Sequence, residues 1–211
     1  MARVGIDPAG FPFVLGALAA ALVGGAGVAW WIAPAFLVLA GFFVFFFRDP
    51  ERRSSTDPAA VLSPADGRVL IAGPALPEAA PPGDWRQVSI FLSPMDVHVN
   101  RVPATGRITR VIYTPGRFLP AYRHDAGRVN ERIEIWIDHA GQPIVARQVV
   151  GMLARRVVCR VETGATVRAG ERYGIMKFGS RMDVFVPTTA EIRVKVGDAV
   201  RGGETVIAVL H

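Results

Sequence analysis

Between Phe11 and Phe47 the chain carries no charged residue, and that stretch constrains the fold more than any other feature. A helix that spans a bilayer needs about 20 apolar residues. The stretch is too long for one straight helix and slightly short for two full ones. Gly24-Gly25 and Pro34 offer breakpoints. The reading is a tight helical hairpin, roughly 11–32 and 35–47, with one span followed by an interfacial helix as the neighbouring solution. Trp30 and Trp31 fall just before the proline, where an interfacial depth suits tryptophan. A cleaved signal peptide fits poorly, because the apolar run is too long and no basic segment precedes a short core. Arg48, Arg52 and Arg53 follow at once, and excess arginine marks the cytoplasmic end of a membrane segment. Residues 1–50 are therefore predicted to be an anchor in the cell (inner) membrane, and residues 51–211 a domain on its cytoplasmic side.

The formal net charge is +6, and it belongs to that second part, since Arg3 and Arg48 are balanced by Asp7 and Asp49. A basic domain beside a membrane suits anionic lipid, each nearby Arg or Lys being worth roughly 1 kcal/mol. No zinc spacing, recognition-helix pattern or aromatic-rich RNA motif accompanies the charge, so no nucleic-acid partner is expected. The single cysteine, Cys159, excludes an internal disulfide framework. It lies in the alternating run 155–161, which reads as a strand, and is expected as a small core residue rather than a reactive thiol.

From about Val61 onward, short alternating apolar runs are broken by Gly, Pro and Asp. Runs such as Gln87-Val-Ser-Ile-Phe-Leu92 and Arg132-Ile-Glu-Ile-Trp-Ile137 have the period of two and the β-branched content of strands. No later segment sustains an amphipathic helix beyond a turn or two. Pro74–Asp84, with four prolines, is a surface loop, and residues 115–130 form a second loop that suits the cover of an active site. Gly164-Ala-Thr-Val-Arg-Ala-Gly-Glu171 recurs as Gly197-Asp-Ala-Val-Arg-Gly-Gly-Glu204, and Pro64-Ala-Asp-Gly-Arg-Val69 more weakly as Pro103-Ala-Thr-Gly-Arg-Ile108. The first pair reads as hairpin turns whose glycines permit positive φ. The fold class is thus mainly β, a barrel-sandwich-like domain behind an N-terminal hydrophobic helical anchor.

Between the two repeats lies Phe178-Gly179-Ser180. A Gly-Ser bond in a tight turn can undergo an N-to-O acyl shift followed by β-elimination, because glycine tolerates the backbone geometry that exposes its carbonyl. The dipeptide alone is a common turn and diagnoses nothing. Four further motifs precede it in order: Phe47-Arg-Asp-Pro-Glu-Arg52, Ser63-Pro-Ala-Asp-Gly-Arg-Val69, Phe91-Leu-Ser-Pro-Met-Asp-Val-His-Val-Asn-Arg-Val-Pro103 and Asn130-Glu-Arg132. Together, from about residue 42 to the C-terminus, they resemble the short form of the phosphatidylserine decarboxylase family.

That resemblance implies cleavage between Gly179 and Ser180 into a large chain, 1–179, and a small chain, 180–211, with Ser180 becoming a pyruvoyl group. The group would hold the substrate's amine as a Schiff base and take up the electrons released with CO₂. It needs no metal and no dissociable cofactor. Phosphatidylserine in an anionic membrane is the implied substrate, the cleaved small chain the implied partner, and a homo-oligomer is compatible with both. Self-cleavage calls for a base on the serine hydroxyl, commonly a His oriented by a carboxylate. The resemblance assigns the carboxylate to Asp66 and proton transfer to His98. Arg101 stands where longer family members carry a second His, so this sequence departs from their pattern at the base. Without the resemblance, Asp66 before Gly67 is a turn residue, His98 a structural His, and Asp96 a cap of its local turn. His124 is a weaker catalytic candidate, and His139 and His211 read as surface residues. Arg101 and Arg132, with Arg123 and Arg128, are candidates for the lipid phosphate. Two other functions compete: a pyruvoyl decarboxylase of a soluble amino acid, and a biotinyl or lipoyl carrier presenting Lys177 after Ile175-Met176. The carrier leaves Gly179-Ser180, Asp66, His98 and the apolar segment unexplained.

Overall fold

The uncharged stretch folds as two helices, α1 (Phe11–Gly27) and α2 (Ala33–Phe46), in the computed structural model, which describes residues 4–27, 29–152, 157–177 and 179–211. A 3₁₀ turn, Pro8–Gly10, leads into α1, with the Asp7 carboxylate accepting the amide of Ala9 at 2.9 Å. α1 ends at Gly27 and a 3₁₀ turn, Trp30–Ile32, leads into α2, so the break is not at the expected glycines or proline. Gly24 and Gly25 lie inside α1, where a Cβ on Gly25 would come within 2.9 Å of the Cβ of Ala33; the missing side chains let the two helices approach. Pro34 sits in the first turn of α2, where its absent N–H forfeits no helical bond. Pro8–Gly27 is long and apolar enough to cross a membrane, whereas Trp30–Phe46 is shorter. By contacts the chain forms two compact units, residues 1–51 and 52–211.

In the second unit the only described helix is one turn, Ala126–Val129. Eight strands form one antiparallel sheet in the order Thr166–Val167, Gly106–Thr114, Arg132–His139, Gln142–Val150, Ser180–Pro187, Trp85–Leu92, Gly67–Pro74 and Ala199–Val200. Two three-stranded sheets complete the fold. One is Val157–Cys159, Arg172–Met176 and Val99–Arg101; the other is Glu191–Ile192, Val206–Val209 and Ala60–Leu62. The core between them is aliphatic: Ile90, Leu92, Ile108, Ile135, Ile137 and Ile144 are 0–1% exposed, each worth roughly 1.5–3 kcal/mol of transfer free energy when buried. This is the expected mainly β, barrel-sandwich-like architecture behind an apolar helical N-terminus.

The sequence echoes turn out to be the two edges of the large sheet. The strand of the first repeat pairs Thr166 with Arg107 and Val167 with Gly106, and that of the second pairs Ala199 with Arg68 and Val200 with Gly67. Each Gly-x-x-Val unit therefore closes on one copy of the weaker Pro-Ala-x-Gly-Arg echo. Gly164, Gly170, Gly197 and Gly203 all have positive φ, from 76° to 95°, as turns of this kind require.

Ser180–Pro187 is an inner strand buried on both faces. Met182, Val184 and Val186 enter the aliphatic core, while Arg181 and Asp183 lie buried on the opposite side. Ile175 and Met176 are fully buried in the Arg172–Met176 strand, so the Ile-Met-Lys segment is not the exposed hairpin tip a carrier lysine requires. Cys159 ends the Val157–Cys159 strand, half-buried against the core as expected, and desolvation pushes its thiol pKa up. Arg155 and Arg156 of the same run, and Phe178, lie outside the described residues.

Candidate active site

Ser180 opens its strand at the centre of the large sheet, in register with Leu92 on one side and Val150 on the other. It is fully buried, and its Oγ has no hydrogen-bond partner among the described residues. A buried hydroxyl left unbonded costs about 1–3 kcal/mol, which a purely structural serine would avoid. Gly179 before it has φ +75°, a left-handed conformation that side chains disfavour, and a Cβ there would touch nothing within 4 Å. Conformation, not crowding, is what glycine supplies at this position.

His98 is brought to this link by the turn before it. The Asp96 carboxylate accepts the Ser93 amide at 2.8 Å, and the Asp96 carbonyl oxygen lies 3.0 Å from His98 Nδ1. A carbonyl can only accept, so Nδ1 carries the proton and Nε2 is left with its lone pair. That nitrogen faces the Gly179 amide, which donates to it at 3.5 Å. The ring is fully buried, and the His98 carbonyl accepts the Met176 amide at 3.2 Å, joining it to the adjacent strand. The group orienting His98 through Nδ1 is thus a backbone carbonyl.

Asp66 has other partners. Its Oδ2 accepts Arg52 Nη2 at 2.7 Å and its Oδ1 accepts the Gly202 amide at 2.7 Å; the turn residue clamps the start of the domain to the second repeat. Arg101 is buried too, its Nη1 donating to the Gly170 carbonyl at 3.0 Å beneath the turns of both repeats. Arg132 donates to the Arg128 carbonyl at 2.8 Å, with its Nε 3.7 Å from Glu134. Burial, and then the charge of Arg147, lower its guanidinium pKa. His139 Nδ1 bonds the Thr105 carbonyl at 2.6 Å, and His124 and His211 are exposed.

Several further residues at the site are not singled out as functional by the sequence. A Cβ on Gly151 would lie 2.1 Å from the Gly179 carbonyl oxygen, so the chain there must be bare. Beside that carbonyl is an apolar pocket of about 140 Å³ lined by Phe91, Pro94, Pro120, Ala121, Tyr122 and Met152. Asn130 holds the loop that forms one wall: its side chain bonds the Leu119 amide and carbonyl at 3.1 and 2.8 Å and the Val150 carbonyl at 2.8 Å. Its place in Asn130-Glu-Arg132 could have pointed to it. A larger groove, about 620 Å³, lies past the far end of the strand, between Trp85 and Thr188. Among the described residues, no three His, Cys, Asp or Glu side chains gather into a possible metal site.

A buried hydroxyl, the carbonyl of the residue before it, a histidine nitrogen facing the Gly179 amide and an apolar recess thus share one end of one strand. This is the layout of an enzyme site built around its own backbone. A family model described as phosphatidylserine decarboxylase matches residues 39–208. The chain is 44% identical over 210 residues to a phosphatidylserine decarboxylase proenzyme of Gluconacetobacter diazotrophicus, covering 95% of this chain and 92% of that one. Proenzymes of the same description from Geotalea daltonii and Chlorobium chlorochromatii are 41% identical over 211 residues and 44% over 178. These cover 98% and 84% of this chain, and 97% and 83% of theirs. The chain belongs to the phosphatidylserine decarboxylase family.

Proposed function

We propose that this protein decarboxylates phosphatidylserine to phosphatidylethanolamine, using a pyruvoyl group that it makes from Ser180 by cutting the Gly179–Ser180 bond. The observation that carries the reading is the buried, unbonded Ser180 Oγ behind a left-handed Gly179 whose amide faces His98 Nε2. The proenzyme description of the relatives supports the cut. His98 takes the hydroxyl proton as Oγ attacks the Gly179 carbonyl carbon. The new C–O bond replaces the C–N bond, and the proton passes to the departing nitrogen of residue 180. Loss of the Ser180 α-proton then expels the Gly179 carboxylate, leaving dehydroalanine at the head of the small chain. Its enamine tautomerises to an imine, which takes up water and releases ammonia, so that residue 180 ends as a pyruvoyl group.

These residues fit such a group. Ser180 is fully buried, which shields a carbonyl at residue 180 from water, and the recess beside Gly179 is small enough to admit a head group without acyl chains. When present, the group supplies an electron sink for the pair released with CO₂. His98 is then the proton carrier available to the reacting carbon. Asp66 enters as a positioning residue, acting through Arg52 and Gly202. Arg101 and Arg132 supply positive charge, with Arg101 donating to the Gly170 carbonyl and Arg132 to the Arg128 carbonyl beside Glu134. The apolar helices at residues 11–46 hold the enzyme in the cell membrane, with Arg48, Arg52 and Arg53 on the cytoplasmic side.

Intact-mass measurement of the purified protein tests this directly. Two chains, 1–179 and 180–211, are expected, the smaller with a blocked N-terminus. A single uncut chain that still decarboxylates phosphatidylserine would defeat the mechanism, and two chains with activity only toward free serine would move the substrate to a soluble amino acid.

A further inference from the structure

A pocket of about 140 Å³ beside Gly179 is far smaller than a phospholipid, since pockets for drug-sized ligands alone measure about 300–1,000 Å³. On the reading of a lipid substrate, the acyl chains must therefore stay in the bilayer while the head group enters. The mouth of the pocket is dressed for that. Beyond residue 51, seven large hydrophobic side chains are exposed in the described structure; Tyr122 and Met152 line this pocket, and Met95 and Phe118 lie one and two residues from its wall residues Pro94 and Pro120. These four come from three separate loops. Met95, Tyr122 and Met152 are 61–63% exposed, which water alone does not favour on converging loops. The same 115–130 loop carries Arg117, Arg123 and Arg128, all exposed, against a single acid, Asp125.

We propose that this rim is a second membrane contact, independent of the apolar helices: Met95, Phe118, Tyr122 and Met152 enter the interface of an anionic bilayer while the arginines of the loop meet its head groups. Apolar side chains ringed by basic ones are what an interfacial contact requires, the first for insertion and the second for attraction to anionic lipid. The proposal deepens the reading above, because it states how a lipid reaches Ser180 without leaving the membrane.

The test uses the full chain with Cys159→Ser, so that a cysteine placed at Met95→Cys is the sole site for an environment-sensitive fluorophore. On vesicles of phosphatidylcholine and phosphatidylglycerol, its emission should shift to the blue and be quenched by brominated lipid. The same label at Thr189→Cys, past the far end of the Ser180 strand, should show neither effect. Unquenched label at residue 95 on protein that sediments fully with vesicles would overturn the proposal. A blue shift that grows with protein concentration in the absence of vesicles would assign the rim to a second copy of the chain and also overturn it. In a second arm, Met95→Asp with Phe118→Asp should slow turnover of vesicle phosphatidylserine roughly tenfold while sparing a short-chain, monomeric phosphatidylserine. Equal loss on both substrates would count against docking. Quenching at residue 95 in a parent enzyme inactive on either substrate would support the contact and defeat the substrate reading instead.

Discussion

The amide of Gly179 faces Nε2 of His98 across 3.5 Å, while Nδ1 of the same ring lies 3.0 Å from the carbonyl oxygen of Asp96. One contact sets the tautomer of the ring and the other sets where its lone pair points. Replacing His98 with Gln keeps a neutral polar side chain but removes the proton acceptor. His98→Gln should therefore slow self-cleavage by roughly 10²–10⁴-fold, read as persistence of the 211-residue chain on a denaturing gel. Processing at the parental rate would remove His98 from the cleavage step.

Gly151 should be as demanding as Gly179, for a different reason. Its φ is ordinary, but a methyl group there would meet the Gly179 carbonyl oxygen at 2.1 Å. Gly151→Ala must push that carbonyl away from the Ser180 hydroxyl, so uncut precursor should accumulate in protein that still melts cooperatively. Normal cleavage in this variant would mean that the Gly179 link shifts freely.

Cutting before Ser180 should not release the small chain. Its first strand is paired along its length with Trp85–Leu92 and over six residues with Gln142–Val150. Of its later strands, Ala199–Val200 forms one edge of the same sheet, and Val206–Val209 pairs with Ala60–Leu62 of the large chain. Native mass spectrometry should find residues 1–179 and 180–211 together, separating only in denaturant. Within that strand Asp183 accepts Arg181 Nε at 2.5 Å and Ser89 Oγ at 2.6 Å, all three residues being 0–1% exposed. Asp183→Asn strands a buried guanidinium and should destabilise the protein by about 3–5 kcal/mol, measured by denaturant unfolding.

Asp66 and Arg52 should behave as one unit. If the carboxylate acts by clamping Arg52, then Asp66→Asn and Arg52→Gln will each cost about 1.5–3 kcal/mol, and the double variant little more than either alone. Fully additive losses, or a cleavage defect in Asp66→Asn that Arg52→Gln lacks, would give Asp66 a separate role.

Tyr173 makes a prediction about alkaline pH. It is fully buried, its hydroxyl has no partner among the described residues, and desolvation, then the nearby Cys159, hold its pKa well above the ordinary 10.0. The unfolded chain ionises first, so the stability tied to this neutral phenol is whole below pH 10 and declines as pH rises past it. Tyr173→Phe should be neutral or slightly stabilising at pH 7 and should flatten the fall in melting temperature above pH 10.

Much of this was legible along the chain. Alternation in Gln87–Leu92 and Arg132–Ile137 named strands that exist, because a half-buried strand repeats every two residues whatever its neighbours are. The two glycine repeats announced turns with positive φ, since few other residues adopt that conformation cheaply. The absence of charge from Phe11 to Phe47 announced apolar helices but misled about their break. Glycines within a helix can serve close packing, as Gly25 does against Ala33, and proline is welcome in a first turn.

What local pattern could not determine was who meets whom. Asp66 finds Arg52, fourteen positions before it, and Gly202, far beyond it; His98 finds Gly179 eighty-one positions later. Gly151 has no motif at all, yet it borders the same carbonyl. Period, turn chemistry and charge are properties of neighbours in sequence, so the sequence by itself determined the strands, the turns, the apolar helices and the family to which its ordered motifs belong. Contact across an antiparallel sheet depends on register and strand order, which are set when the whole core closes. Tertiary structure alone therefore decided that a carbonyl lies against His98 Nδ1, that Asp66 meets Arg52 and the Gly202 amide, and that a bare glycine and an apolar pocket lie beside Gly179.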